Sequence, residues 1–150
     1  MSEHFFAYQH RALRPLLIWG ALNTLLGTLI TLRSQNPFWR HVGMQAASWG
    51  AIDAGLALAG QRGAAAKAAQ HAAGSLVEGT EHTEARNLHR ILWINFGLDI
   101  LYILSGWFLF RRSPDRLDRQ GMGVGIAVQG LFLLLFDGLL ARDVARRWLD

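Results

Sequence analysis

The sequence predicts an all-α, integral-membrane four-helix bundle, made of a duplicated two-helix hairpin in a single domain of 150 residues. Three observations point to it. Four apolar stretches, residues 15–32, 42–60, 91–110 and 121–141, each approach the length of a membrane-spanning helix, for which about 20 residues are needed. All 15 Lys and Arg lie outside those stretches. Polar residues recur inside the stretches at helical spacing, as they do on the buried faces of helices packed together in lipid.

Residues 3–14 mix Phe5, Phe6, Tyr8 and Leu13 with His4, His10, Arg11 and Arg14, the pattern of an amphipathic helix lying in the headgroup region. Pro15 then opens the first span, a position that tolerates proline because the first helical N–H has no partner. No cleavable leader is evident, so the first span is expected to stay as an anchor. The second span, VGMQAASWGAIDAGLALAG, is dominated by Ala and Gly; small residues let helices approach closely, and this helix is expected to be the most enclosed. Connection 61–90 is extramembrane. It holds an Ala-rich part that favours helix, a Ser75/Glu78 pair that matches a capping box, and Thr80 as a cap for a helix running on into the third span. The third span, ILWINFGLDILYILSGWFLF, carries Asn95, Asp99 and Tyr102. The fourth opens on Gly121, Gly123 and Gly125; with no strand before them a phosphate loop is unsupported, and Gly121 and Gly125 suit a close helix contact. The tail, with Trp148 at the interface, can continue as helix.

Short motifs repeat: WGALN ends at Asn23, WGAID at Asp53, NFGLD at Asp99 and LLLFD at Asp137. Asn23 maps onto Asp99 at a shift of 76, and Gln45 and Asp53 onto Gln129 and Asp137 at a shift of 84. This predicts two copies of a hairpin, the second with an insertion, related by a pseudo-two-fold axis along the membrane normal. Trp19 and Asn23 share a face, as do Gln45, Trp49 and Asp53, then Asn95, Asp99 and Tyr102, then Gln129 and Asp137. Asn23, Asp53, Asp99 and Asp137 fall about 6–12 Å below the side bearing the termini at about 1.5 Å per residue, and are expected to form one polar layer.

Each Asp at that depth costs about 2.5–3.5 kcal/mol. No basic residue in the spans compensates them, and neighbouring carboxylates in low dielectric cannot all ionise. Three readings follow. The Asn, Gln, Tyr and Trp side chains donate hydrogen bonds to the acids and lock the bundle; the acids handle a proton or hard cation, as an all-oxygen site would; or the layer borders a cavity for a lipid-soluble cofactor, pigment or quinone.

The absence of Cys excludes thiolate metal sites and c-type haem. All six His lie outside the spans, which gives no support to bis-histidine haem; His82, His89 and Glu78 lack specific ligand spacing. No nucleophile, base and orienting group recur at recognisable spacing, which points away from an enzyme. Although the pI is about 10.6, the cations sit at span ends rather than on one face, as headgroup anchors facing anionic lipid and not nucleic acid. Nine Lys or Arg lie on the side of the termini and six in the two short turns, so total and density disagree; the reading taken is termini on the cytoplasmic side.

The Trp-Gly motifs, the NFGLDILY run and the QGLFLLLFD ending resemble an uncharacterised bacterial family of small four-span membrane proteins. The likeness covers most of residues 15–141 and is strongest at Asn95–Tyr102 and Gln129–Asp137. It implies a bacterial inner-membrane location and no particular activity. The leading expectation is an accessory or assembly subunit of a larger membrane complex, with other membrane subunits as partners. Proton or cation handling by Asp53, Asp99 and Asp137 is the alternative, and binding of a lipid-soluble cofactor a further one.

Overall fold

The computed structural model describes residues 3–150; Met1 and Ser2 lie outside the described residues. The described chain is all-helical: α1 (Phe5–Ala12), α2 (Arg14–Arg33), α3 (Pro37–Ala72), α4 (Thr80–Arg111) and α5 (Leu117–Trp148). Pro15 sits in the first turn of α2, and Asn36 caps α3 by accepting from the Phe38 N–H at 2.9 Å. Three stretches are long and apolar enough to cross a membrane: 5–33, 80–111 and 117–148. α3, which contains the expected second span, is not among them, because its Gly, Ser, Gln45 and Asp53 dilute an otherwise apolar run.

α2 packs on α3, α4 on α5, and α5 on α3. The first two pairs are antiparallel, since contacts run in opposite directions along the chain: Gly20 meets Gly50 and Gly27 meets Gly43, while Gly106 meets Gly123 and Gly130 meets the Asp99 backbone. A seven-residue recurrence underlies both pairs. Gly43, Gly50, Ala57 and Ala64 are buried along α3; Ala85, Leu92, Asp99 and Gly106 along α4; Gly123, Gly130, Asp137 and Val144 along α5. A strict seven-residue stripe keeps one seam facing the partner helix, and small residues on it bring backbones together.

Several expectations are corrected. The most enclosed helix is α5 rather than α3: Gly121 and Gly125 lie against Phe38 and Gln45 of α3, while Gly123 and Gly130 lie against α4, so small residues serve two faces at once. The register differs too. The connections between paired helices are residues 34–36 and 112–116, which leaves no room for an eight-residue insertion. The close contacts, Gly27 with Gly43 and Gly106 with Gly123, do not fall on the motif register, in which residue 27 would answer to residue 103 and residue 43 to residue 127. Ser75 caps nothing, donating instead to the Gln70 carbonyl at 3.2 Å. Gly79, with φ of 79°, occupies the N-cap of α4, and the Thr80 hydroxyl donates back to the Val77 carbonyl at 2.6 Å.

The long helices run on past the expected spans. The Ala-rich stretch extends α3 and the acidic stretch begins α4, joined across their faces by Lys67–Glu84 and by His71–Glu81 at 3.3 Å. α1 does not lay its apolar face outward. Phe5 and Phe6 are fully buried and Tyr8 nearly so, in a cluster with Ala85 and Leu92 of α4 and Leu140, Ala141 and Val144 of α5. Trp148 stands edge-on to Phe5 at 5.3 Å, against α1 rather than free at an interface. α1 thus plugs the end of the helix assembly where the two chain ends meet.

Candidate functional site

Asp53 is three residues beyond Gly50, turned partly away from the α2 contact, and is 2% exposed. Asp99 lies on the α4 seam and is likewise 2% exposed, and Asp137, on the α5 seam, is 6% exposed. Gly130 lets α5 close on α4 at the Asp99 backbone; Asp137, seven residues further along α5 and so toward Asn95 on the antiparallel α4, reaches the same cleft as Asp99. The three line one cleft of about 180 Å³ together with Trp49, Asn95 and Tyr102. The Asp99 and Asp137 carboxyls face this one cleft, and neighbouring carboxyls in low dielectric cannot both ionise, so the pair holds a proton. Asp53 Oδ2 and Asp99 Oδ2 are buried with no hydrogen-bond partner among the described residues. Leaving a buried polar atom unpaired costs about 1–3 kcal/mol, more for a charged one.

The expected single layer divides into two sites. Asn23 is not in the acidic cleft. The Trp19 indole N–H donates to Gln129 Oε1 at 2.9 Å, Gln129 Nε2 donates to Asn23 Oδ1 at 2.9 Å, and Asn23 Nδ2 donates to the Trp19 carbonyl at 2.9 Å. This closed network pins α2 to α5, helped by Trp19 stacked on Phe132 at 4.1 Å. None of its bonds reaches a carboxyl, so the expected lock in which Asn23, Gln129 and Trp19 bond to the acids is not formed. Gln45 packs over Gly125, while Trp49 meets Tyr102 at 5.2 Å, edge to face, beside the acids.

Among the described residues no group of three His, Asp or Glu side chains is placed to hold a metal ion. A hard cation needs its oxygens converging to roughly 2.0–2.6 Å; the three acids surround a wider space. Nor is there a large apolar chamber at this level, since cofactor pockets run to about 300–1,000 Å³. A groove of about 600 Å³ lies elsewhere, between α1 and α5, walled by Pro15, Phe132, Leu135, Phe136 and Leu139. The charges at its mouth are already paired, Arg11 with Glu3 and Arg147 with Asp143.

Motif likeness brings the three acids to notice, but the helix facing of each depends on the seven-residue seam. That recurrence of small residues and Asp is the signal in the sequence that separates Asp99 and Asp137 from Asn23.

A family model described as a family of unknown function, DUF6992, matches residues 15–138, and the chain belongs to that family. No curated protein and no solved structure matches it.

Proposed function

We propose that this member of a family of unknown function is a proton-handling membrane protein, with Asp53, Asp99 and Asp137 as the working groups. One observation carries the reading: buried carboxyl oxygens of Asp53 and Asp99 stand without partners in a cleft they share with Asp137. A purely structural polar contact would be satisfied internally, as the Trp19–Gln129–Asn23 network is. Acids held close in low dielectric exchange a proton among themselves, and ionisable groups at membrane depth characteristically mark proton relays.

In this reading the fold is a four-span bundle. α3 crosses despite its modest hydropathy because α2 and α5 cover it, leaving its polar positions facing protein. The bundle is a duplicated hairpin in the contact register, residues 27 and 43 corresponding to 106 and 123. Asp99 and Asp137 then stand where the first copy has Gly20 and Ala57, so the acids of the second copy are additions to a small-residue seam. The chain is placed in a bacterial inner membrane with both termini cytoplasmic, anchored by its span-end Arg residues to anionic lipid. An accessory role in a larger complex would use the apolar outer faces of α2 and α4; lipid alone suffices to cover these, and no contact favours that role over the cleft.

Reconstituted into liposomes and driven by an imposed potential, the protein is expected to pass protons, and Asp99→Asn is expected to lower the flux at least tenfold. Absent flux, or equal flux in the variant, would overturn the proposal.

A further inference from the structure

We infer that the acidic cleft receives the ammonium head of a membrane-soluble alkylamine. The inference rests on the proton-handling reading of the same residues and adds the class of ligand. Three features of the cleft argue for it.

The first is charge. Three carboxyls share the cleft with no basic residue in any span, so even with one proton between Asp99 and Asp137 the site retains negative charge, part of which a monocation offsets. The second is hydrogen bonding. The unpartnered buried atoms, Asp53 Oδ2 and Asp99 Oδ2, are acceptors. They call for a head rich in N–H donors rather than a carbonyl or a phosphate, and an ammonium carries three. Such bonds form at about 2.7–2.9 Å, longer than metal coordination, which accords with a site too wide for a bare ion. The Trp49 and Tyr102 rings beside the carboxyls add faces that attract a cation.

The third is the route in. The α3 and α4 backbones lie apart, bridged by the Trp49 and Tyr102 rings and, further along, by Lys67–Glu84 and His71–Glu81, and the residues at the edge of the cleft between them, Ile52, Leu56 and Leu98, are exposed. In a bilayer this opening faces lipid, not water. An alkyl tail leaving by it lies against those side chains, while the 180 Å³ within accepts the head and its first carbons. Entry of RNH₃⁺ with the proton kept by Asp99 and Asp137 lowers the negative charge of the site by that of the one cation.

The test uses the full chain in phosphatidylcholine nanodiscs and radiolabelled octylamine at neutral pH, with empty nanodiscs measuring partition into lipid. Saturable binding above the empty discs is expected. Asp53→Asn, nearly the same size, is expected to weaken it about tenfold or more, as loss of a charged hydrogen-bond partner does, and Trp49→Leu several-fold. Octanol is expected not to compete. No binding above empty discs, equal displacement by octanol, or undiminished binding in both Asp53→Asn and Asp99→Asn would overturn the inference, thermal melting having shown the variants folded. Proton flux measured on the same protein separates the two claims: Asp99-dependent flux without amine binding removes the ligand class alone, whereas absent flux removes the reading beneath it.

Discussion

Gly20→Ala is expected to destabilise the protein by about 3 kcal/mol, the upper end of what overpacking costs. A Cβ at Gly20 would lie 2.5 Å from the Ala54 backbone nitrogen and 2.7 Å from the Gly50 carbonyl oxygen. Both obstacles are backbone, so no side-chain rotation relieves them, and α2 must move off α3. That movement also pulls Trp19 and Asn23 from Gln129, breaking the network that ties the first hairpin to α5. The control is Gly55→Ala, on the partner helix α3, with nothing within 4 Å of the added Cβ. There helix propensity alone acts, and stability should hold or rise by up to about 1 kcal/mol. Thermal unfolding in mild detergent reads both, and similar effects from the two substitutions would contradict the close-packed seam.

Phe5→Ala is expected to cost about 3–5 kcal/mol, in the range of buried aromatic truncations. The ring is fully buried, edge-on to Phe6 at 5.6 Å and to Trp148 at 5.3 Å. It belongs to a cluster supplied by α1, α4 and α5, so its loss undoes contacts between elements distant in the chain. α1 has only eight residues, too few to persist alone in water, and should detach as a unit. Amide exchange in α1 is then expected to accelerate at least a hundredfold, with exchange in the 91–110 segment little changed. Unaltered protection of α1 would mean that the helix is held by its polar bonds, chiefly Tyr8 to Asp143 at 2.7 Å.

The helices over 15–32, 91–110 and 121–141 are legible because lipid-like composition is a local property, summed along the chain without knowledge of neighbours. α3 is harder for the same reason: hydropathy scores its Ala and Gly as weak, whereas their role is to admit α2 and α5. The burial of Phe5 and Phe6 is not legible at all. An amphipathic stretch looks alike whether its apolar face meets lipid or protein, and what covers these rings comes from residues 85, 92, 140, 141 and 144.

For the site, the cost of burying uncompensated acids marks Asp53, Asp99 and Asp137 from composition alone. Which polar neighbours join them is set by helix rotation. WGALN and WGAID resemble each other as strings, yet Asn23 turns toward Gln129 and Asp53 toward Asp99 and Asp137. The recurrence of Gly43, Gly50, Ala57 and Ala64 at seven-residue intervals, with its counterparts on α4 and α5, carries the rotation that the motifs do not.

Infrared difference spectroscopy of the carboxyl C=O stretch tests the shared acidic site most directly, comparing the native chain with Asp53→Asn, Asp99→Asn and Asp137→Asn. A proton held between Asp99 and Asp137 gives a protonated-carboxyl band at neutral pH, which Asp99→Asn and Asp137→Asn each remove and Asp53→Asn shifts without abolishing. A native protein without that band, or one whose band survives both Asp99→Asn and Asp137→Asn unchanged, would contradict that shared proton.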